Sequence, residues 1–155
     1  MGRQARRPKI ITRFGGFFIG PVMSIRTQIR EAAAALVRAA VPSLVYVTAS
    51  RPVALSVEEC PQAFVYLSDP QPSGEYLDDD EYTATLTVTV YVMATNSADA
   101  ELDQIAALIN LEQAPLGEWV TTIDAQGDAY GVDEENTGAA SINLDYRITW
   151  SENDD

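Results

Sequence analysis

The chain contains no histidine and a single cysteine, Cys60. Without histidine it lacks the usual general base near neutral pH and the commonest metal ligand. It also lacks the Ser-His and Cys-His nucleophile pairs. One cysteine closes no internal disulfide, so nothing points to an oxidising compartment. No apolar run approaches the roughly 18 residues that cross a bilayer. Bases are scarce: 10 Lys and Arg against 23 Asp and Glu, a net charge of −13 over 155 residues. Arg3, Arg6, Arg7, Lys9 and Arg13 all fall within residues 1–22, which hold no acid. The remaining 133 residues carry five bases and 23 acids, a net of −18. Such a body repels nucleic acid rather than gripping it. A negative wall still suits a channel through which DNA slides without sticking.

What is present is one domain's worth of alternating and periodic sequence, 46% hydrophobic. Residues 1–22 stand apart as a basic, Gly-containing extension without clear periodicity. Its apolar piece, "FFIGPVM", is too short and too broken by Gly20 and Pro21 for a secretory signal. It reads either as an arm that docks on an acidic neighbour or as sequence upstream of a true start at Met23, and the second reading is preferred. The domain is assigned to residues 23–155.

A first helix is predicted from Ser24 to about Val41, capped by Ser24, stopped by Pro42 and striped with Ile25, Ile29, Ala32, Leu36, Val37 and Ala40. Strands follow at Leu44–Thr48 and Ala63–Leu67, with a turn at Ser50-Arg51-Pro52 and a short extended piece at Val53–Leu55 between them. "SDPQPSGEYLDDD" reads as a loop. The clearest signal is Glu81–Met93, where Tyr82, Ala84, Leu86, Val88, Val90 and Val92 alternate with Thr83, Thr85, Thr87, Thr89 and Tyr91. The apolar row is expected under helices, and the threonine row facing water or another subunit. A second helix is predicted over Ala98–Gln113, with Asn96 or Ser97 as cap and Leu102, Ile105, Ala106 and Ile109 inward. Trp119–Asp124 reads as a short strand, "DAQGDAYGVDEENTG" as a polar loop pinned by Tyr130, and Ala140–Trp150 as the last strand. The tail "SENDD" is expected to fray. Trp119 and Trp150 read as core anchors. The fold class is therefore α+β: a two-layer sandwich with two helices on one face of a mostly antiparallel, four- to five-stranded sheet.

The candidates for chemistry are thin. Asp78, Asp79, Asp80 and Glu81 could supply oxygen ligands to a divalent cation, but their spacing is not that of a calcium loop. A nuclease would also need carboxylates converging from other elements and a basic substrate surface, and neither is visible. Asp133, Glu134 and Glu135 form a second acidic cluster. Both read as solvated loops or as interaction surfaces. "RFGGFFIG" matches no phosphate-binding loop. Cys60, beside Glu58 and Glu59, reads as a packed thiol whose pKa those acids raise. No cofactor, metal or catalytic residue is expected.

Several pieces in order resemble one family. They are "IRTQIREAAAALVRAAV", "SRPVAL", "ECPQAFVYLSD", "GEYLDDDEYTATLTVTVYVMA", "ADAELDQIAALI" and "GDAYGVDEENTGAASINLDYRITW". Together they are similar to the tail terminators of lambda-type long-tailed phages, the minor tail protein U family, over residues 23–150. The resemblance implies a structural virion protein and not an enzyme. It implies a homo-hexameric ring that ends growth of the tail tube, contacting the major tail tube protein and the head-tail connector or neck protein. Genomic DNA would pass through its lumen unbound, no membrane would be involved, and assembly would take place in the host cytoplasm. Another neck or tail-completion protein, including one from a gene transfer agent or a tail-like bacteriocin, is the neighbouring reading. A free acidic binding domain is the more distant one. The family carries no catalytic residues to transfer. The expected interaction residues are Asp78, Asp79, Asp80, Glu81, Asp133, Glu134 and Glu135, with Thr87, Thr89 and Tyr91 as exposed strand positions.

Overall fold

The computed structural model describes residues 24–52, 55–72, 81–112, 116–118, 120–132 and 138–152. Helix α1 spans Ile25–Ala40. The Ser24 hydroxyl accepts the Thr27 N–H at 3.1 Å, filling one of the bonding deficits of a helix start. Val41 leaves helical geometry just before Pro42, where the ring disfavours a helical predecessor. Ile29, Ala33, Ala34 and Val37 are fully buried. Ile25, Ala32, Leu36 and Ala40 pack beside them, partly buried. The inward stripe is thus centred on two alanines that the sequence reading left out, and their small side chains bring the helix close to the sheet.

The strands are β1 (Tyr46–Thr48), β2 (Gln62–Leu67), β3 (Gln71–Pro72), β4 (Glu81–Met93), β5 (Val120–Val132) and β6 (Ala139–Ser151). They form one sheet in the order β1-β2-β4-β6-β5, with β3 pairing the start of β4 beyond the end of β2. Only β1 and β2 run parallel. Six strands replace the expected four to five, because the Gln71–Pro72 pair lies inside a segment read as loop. Helix α2 is Ala98–Leu108. Helix α1 covers β1 and β2 while α2 covers β4 and β6. Leu86, Val88 and Val90, from the apolar row of β4, and Ile148 and Trp150 of β6 are fully buried between the layers.

Four expectations need correction. Helix α2 ends five residues early: Ile109 is extended, and the Asn110 side chain accepts the Glu112 N–H at 3.0 Å, a local bond that competes with helix continuation. Its N-cap, Ser97, makes no side-chain cap bond. Strand β1 starts at Tyr46 rather than Leu44. The polar stretch after Asp124 is not loop but the second half of β5, paired with β6 as far as Val132. A bulge at Ala125/Gly127, with Gly127 at φ 136°, carries the strand through the register shift. Residues Val53 and Ala54 of the expected extended piece, and Trp119, lie outside the described residues.

Candidate assembly surfaces

Of the expected interaction residues, Asp78, Asp79, Asp80, Asp133, Glu134 and Glu135 lie outside the described residues. The structure does fix where those segments join the sheet. Glu81 pairs with Ser151 at one end of the β4–β6 ladder, and Met93 pairs with Ala139 at the other, beside the Val132–Ala140 pair. The 13-residue β4 spans roughly 40 Å at about 3.3 Å per residue. The two acidic segments therefore leave from opposite ends of the ladder.

The threonine row is not exposed within the chain. Thr87 and Thr89 are only 8% and 3% accessible. Their short side chains sit in mid-sheet between longer neighbours, with Phe64 and Tyr66 across on β2 and Asn143 and Asp145 across on β6. Thr87 donates to Asp145 Oδ1 and Thr89 to Asn143 Oδ1, each at 2.8 Å. Tyr91 is half-buried, with its ring edge-on to Phe64 at 5.9 Å. Alternation correctly separated two faces, but it could not show that the threonines would be shaded by side chains on adjacent strands.

At the Glu81 end, Arg26 joins the helix layer to the sheet. Its Nε donates to Glu152 Oε2 at 2.7 Å, and its guanidinium lies 5.1 Å from the Tyr82 ring centre. Tyr82 stacks on Trp150, whose Nε1 donates to the same Glu152 oxygen at 2.9 Å. So Ser151 continues β6 and Glu152 is pinned, where the sequence suggested a frayed tail. Nothing in the composition of "SENDD" distinguishes Glu152 from its neighbours; its contacts with Arg26, 126 residues away, and with Trp150 do.

At the far edge, β5 lies open. Residues 121, 122 and 124–131 are exposed, which is why no apolar alternation announced the strand. It is nevertheless tied down. Glu112 Oε2 accepts the Ala125 N–H at 3.0 Å, and the Tyr130 hydroxyl donates to Asp103 on α2. That bond, with desolvation and the nearby Asp99 and Asp128, raises the Tyr130 pKa. Burial raises the pKa of Tyr146 most, a Leu111 backbone hydrogen bond opposes it, and Asp128 and Glu112 add to the rise. Cys60 is raised by burial, lowered in part by Gln62, then raised by Glu101 and Glu59. Glu101 on α2 was not foreseen as a neighbour of that thiol.

A shallow polar hollow of about 260 Å³ is lined by residues that include Ser68, Asp69, Thr85, Gln126 and Arg147. It holds no nucleophile paired with a base. Among the described residues no three His, Cys, Asp or Glu side chains gather to hold a metal ion, and no helix is long and apolar enough to cross a membrane.

Comparison with known proteins matches residues 24–150 to the phage minor tail protein U family. The chain belongs to that family. It is a structural protein of the virion tail, not an enzyme. Among curated relatives it is 34% identical, over 104 residues, to the tail tube terminator protein of Escherichia phage N15, covering 64% of this chain and 78% of the relative. Among solved structures it is similar to a chain in the virion of a native gene transfer agent particle. There the TM-score is 0.47 and identity 15%, over 83% of this chain and 92% of the other.

Proposed function

We propose that this minor tail protein U relative caps the finished tail tube as a ring of six copies. The ring ends addition of tube subunits and forms the joint to the head connector. The observation that carries this reading is the 34% identity to a protein named as a tail tube terminator, over 78% of its length. The net charge of −18 beyond residue 22 supports a lumen through which genomic DNA passes without adhering. Assembly would take place in the host cytoplasm before the tail meets the head. The acidic segments around Asp79 and Glu134, leaving from opposite ends of the sheet, would then form two separate acidic rims rather than one site.

The test is negative-stain microscopy of the purified chain, alone and with polymerising tail tube protein. Rings of six, or caps at one tube end with elongation halted, support the reading. A chain that stays monomeric and leaves tube growth unchanged refutes it.

A further inference from the structure

The sheet ends in two unlike edges. Among the described residues β5 pairs only with β6, and β1 only with β2, so each has an outer edge without a strand partner. A long open edge invites addition of another strand. Here β5 is anchored at two points, where Glu112 takes the Ala125 N–H and Asp103 the Tyr130 hydroxyl. The opposite edge carries two large exposed apolar side chains, Val45 and Tyr46, at 51% and 50% exposure.

The edges also differ in charge. Residues 24–52 hold four arginines and one acid; Arg26 reaches Glu152 and Arg51 the Leu67 carbonyl of β2, so the base seen to contact β1 is Arg38. Arg38 stands on the β1 shoulder, where it donates to the Val47 carbonyl at 2.8 Å. Residues 98–132, which form α2 and β5, hold seven acids and no base, a net of −7. Asp124 and Asp128 lie exposed on β5 itself. Glu58 and Glu59 belong to a 3-10 turn that packs near β4.

Two β5 edges brought together would set Asp124 and Asp128 against their own copies, an unfavourable arrangement. A β5 edge against a β1 edge sets acids against Arg38. We infer that neighbouring copies meet edge to edge, β5 of one against the β1 shoulder of the next, so that the sheet continues from subunit to subunit. Such a contact is head-to-tail, the kind that closes into a ring when the rotation between copies closes. The inference rests on the ring reading above and assigns its interface: acidic α2–β5 flank to basic α1–β1 flank.

Charge reversal tests it. Asp128→Arg on β5 and Arg38→Glu at the β1 shoulder alter exposed side chains, and thermal unfolding checks that each variant folds. Each alone is expected to raise the concentration needed for assembly, in solution or as caps on tube ends, by more than about tenfold. The chain carrying both reversals regains assembly, because each flank again meets its opposite. A second pair breaks the faces outright. A chain with Asp124→Arg and Asp128→Arg keeps only its β1 flank; one with Arg38→Ala and Tyr46→Ala, neutral and so no match for the reversed β5, keeps only its β5 flank. Mixed, they should give one-to-one dimers and nothing larger by native mass spectrometry. Variants that cap as well as the parent chain overturn the inference, as do a double reversal that restores nothing and mixtures that stay monomeric. A parent chain that never forms a ring or cap defeats the ring reading itself, a result separable from the failure of this interface alone.

Discussion

Replacing Thr87 by Val should destabilise the chain by about 1 kcal/mol, while the same change at Thr89 should leave it within about 0.5 kcal/mol of the parent. Both threonines are nearly buried, and both donate at 2.8 Å across the β4–β6 ladder. The partners differ. Thr87 serves a carboxylate, Asp145, and a hydrogen bond to a charged group contributes about 1.5–3 kcal/mol. Asp145 is only half-buried, so water recovers part of that loss and the lower end applies. Thr89 serves the neutral Asn143 amide, for which about 1 kcal/mol is typical. Valine replaces each hydroxyl by a methyl, and burying that methyl returns up to about 0.8 kcal/mol. The difference leaves the Thr87 variant weaker. For a chain of this size 1 kcal/mol corresponds to roughly 2–4 °C in Tm. Urea and thermal unfolding of the two variants, with a double-mutant cycle through Asp145→Asn, measure it. A Thr87→Val chain as stable as Thr89→Val would refute the claim that these contacts, and not exposure to a partner, explain the row. If either variant folds normally yet fails to assemble, the row has a contact role after all.

Arg26→Ala should cost about 1 kcal/mol through the lost Glu152 pair and the lost contact with the Tyr82 ring. The deficit should narrow in 1 M salt, as followed by urea midpoints. Cys60 should react slowly with iodoacetamide near neutral pH, with the rate rising through a midpoint above the ordinary thiol value of 9.0, because burial and the neighbouring Glu101 and Glu59 resist the thiolate. Stability should fall as pH rises past the ordinary tyrosine value of 10.0. The raised Tyr146 pKa means the unfolded chain releases that proton first and is favoured from there upward. Chemical denaturation between pH 9 and about 11 should show a shallower decline in Tyr146→Phe.

Where one face of an element meets the core, the sequence was legible. Strand β4 came out at its observed bounds because Leu86, Val88 and Val90 must face inward while the residues between them need not. Helix α1 was legible from Ser24, its apolar spacing and Pro42. The second half of strand β5, after Asp124, was not, since an edge strand with both sides largely wet has no burial to impose alternation. Its polar residues, two glycines and bulge look like loop composition. The Thr87–Asp145 and Arg26–Glu152 contacts join residues 58 and 126 positions apart, beyond the reach of any local pattern. The same holds for the edge anchors Glu112 and Asp103, whose roles depend on β5 being a strand at all.

The acidity of the chain therefore has at least two physical origins. One lies in the segments that join the ladder at its two ends, Asp78–Asp80 before Glu81 and Asp133–Glu135 after Val132. The other is the α2–β5 flank, where Asp99, Asp103 and Asp128 gather around Tyr130. If those acids served only to keep DNA from sticking, nothing would require them to lie at the edge opposite Arg38. An even negative coat would do as well. With Asp128 exposed on β5 and Arg38 exposed beside β1, the two edges differ in charge, which gives the subunit a direction across its sheet. Direction of that kind matters to a protein whose neighbours are copies of itself, and it has no use in a free acidic monomer.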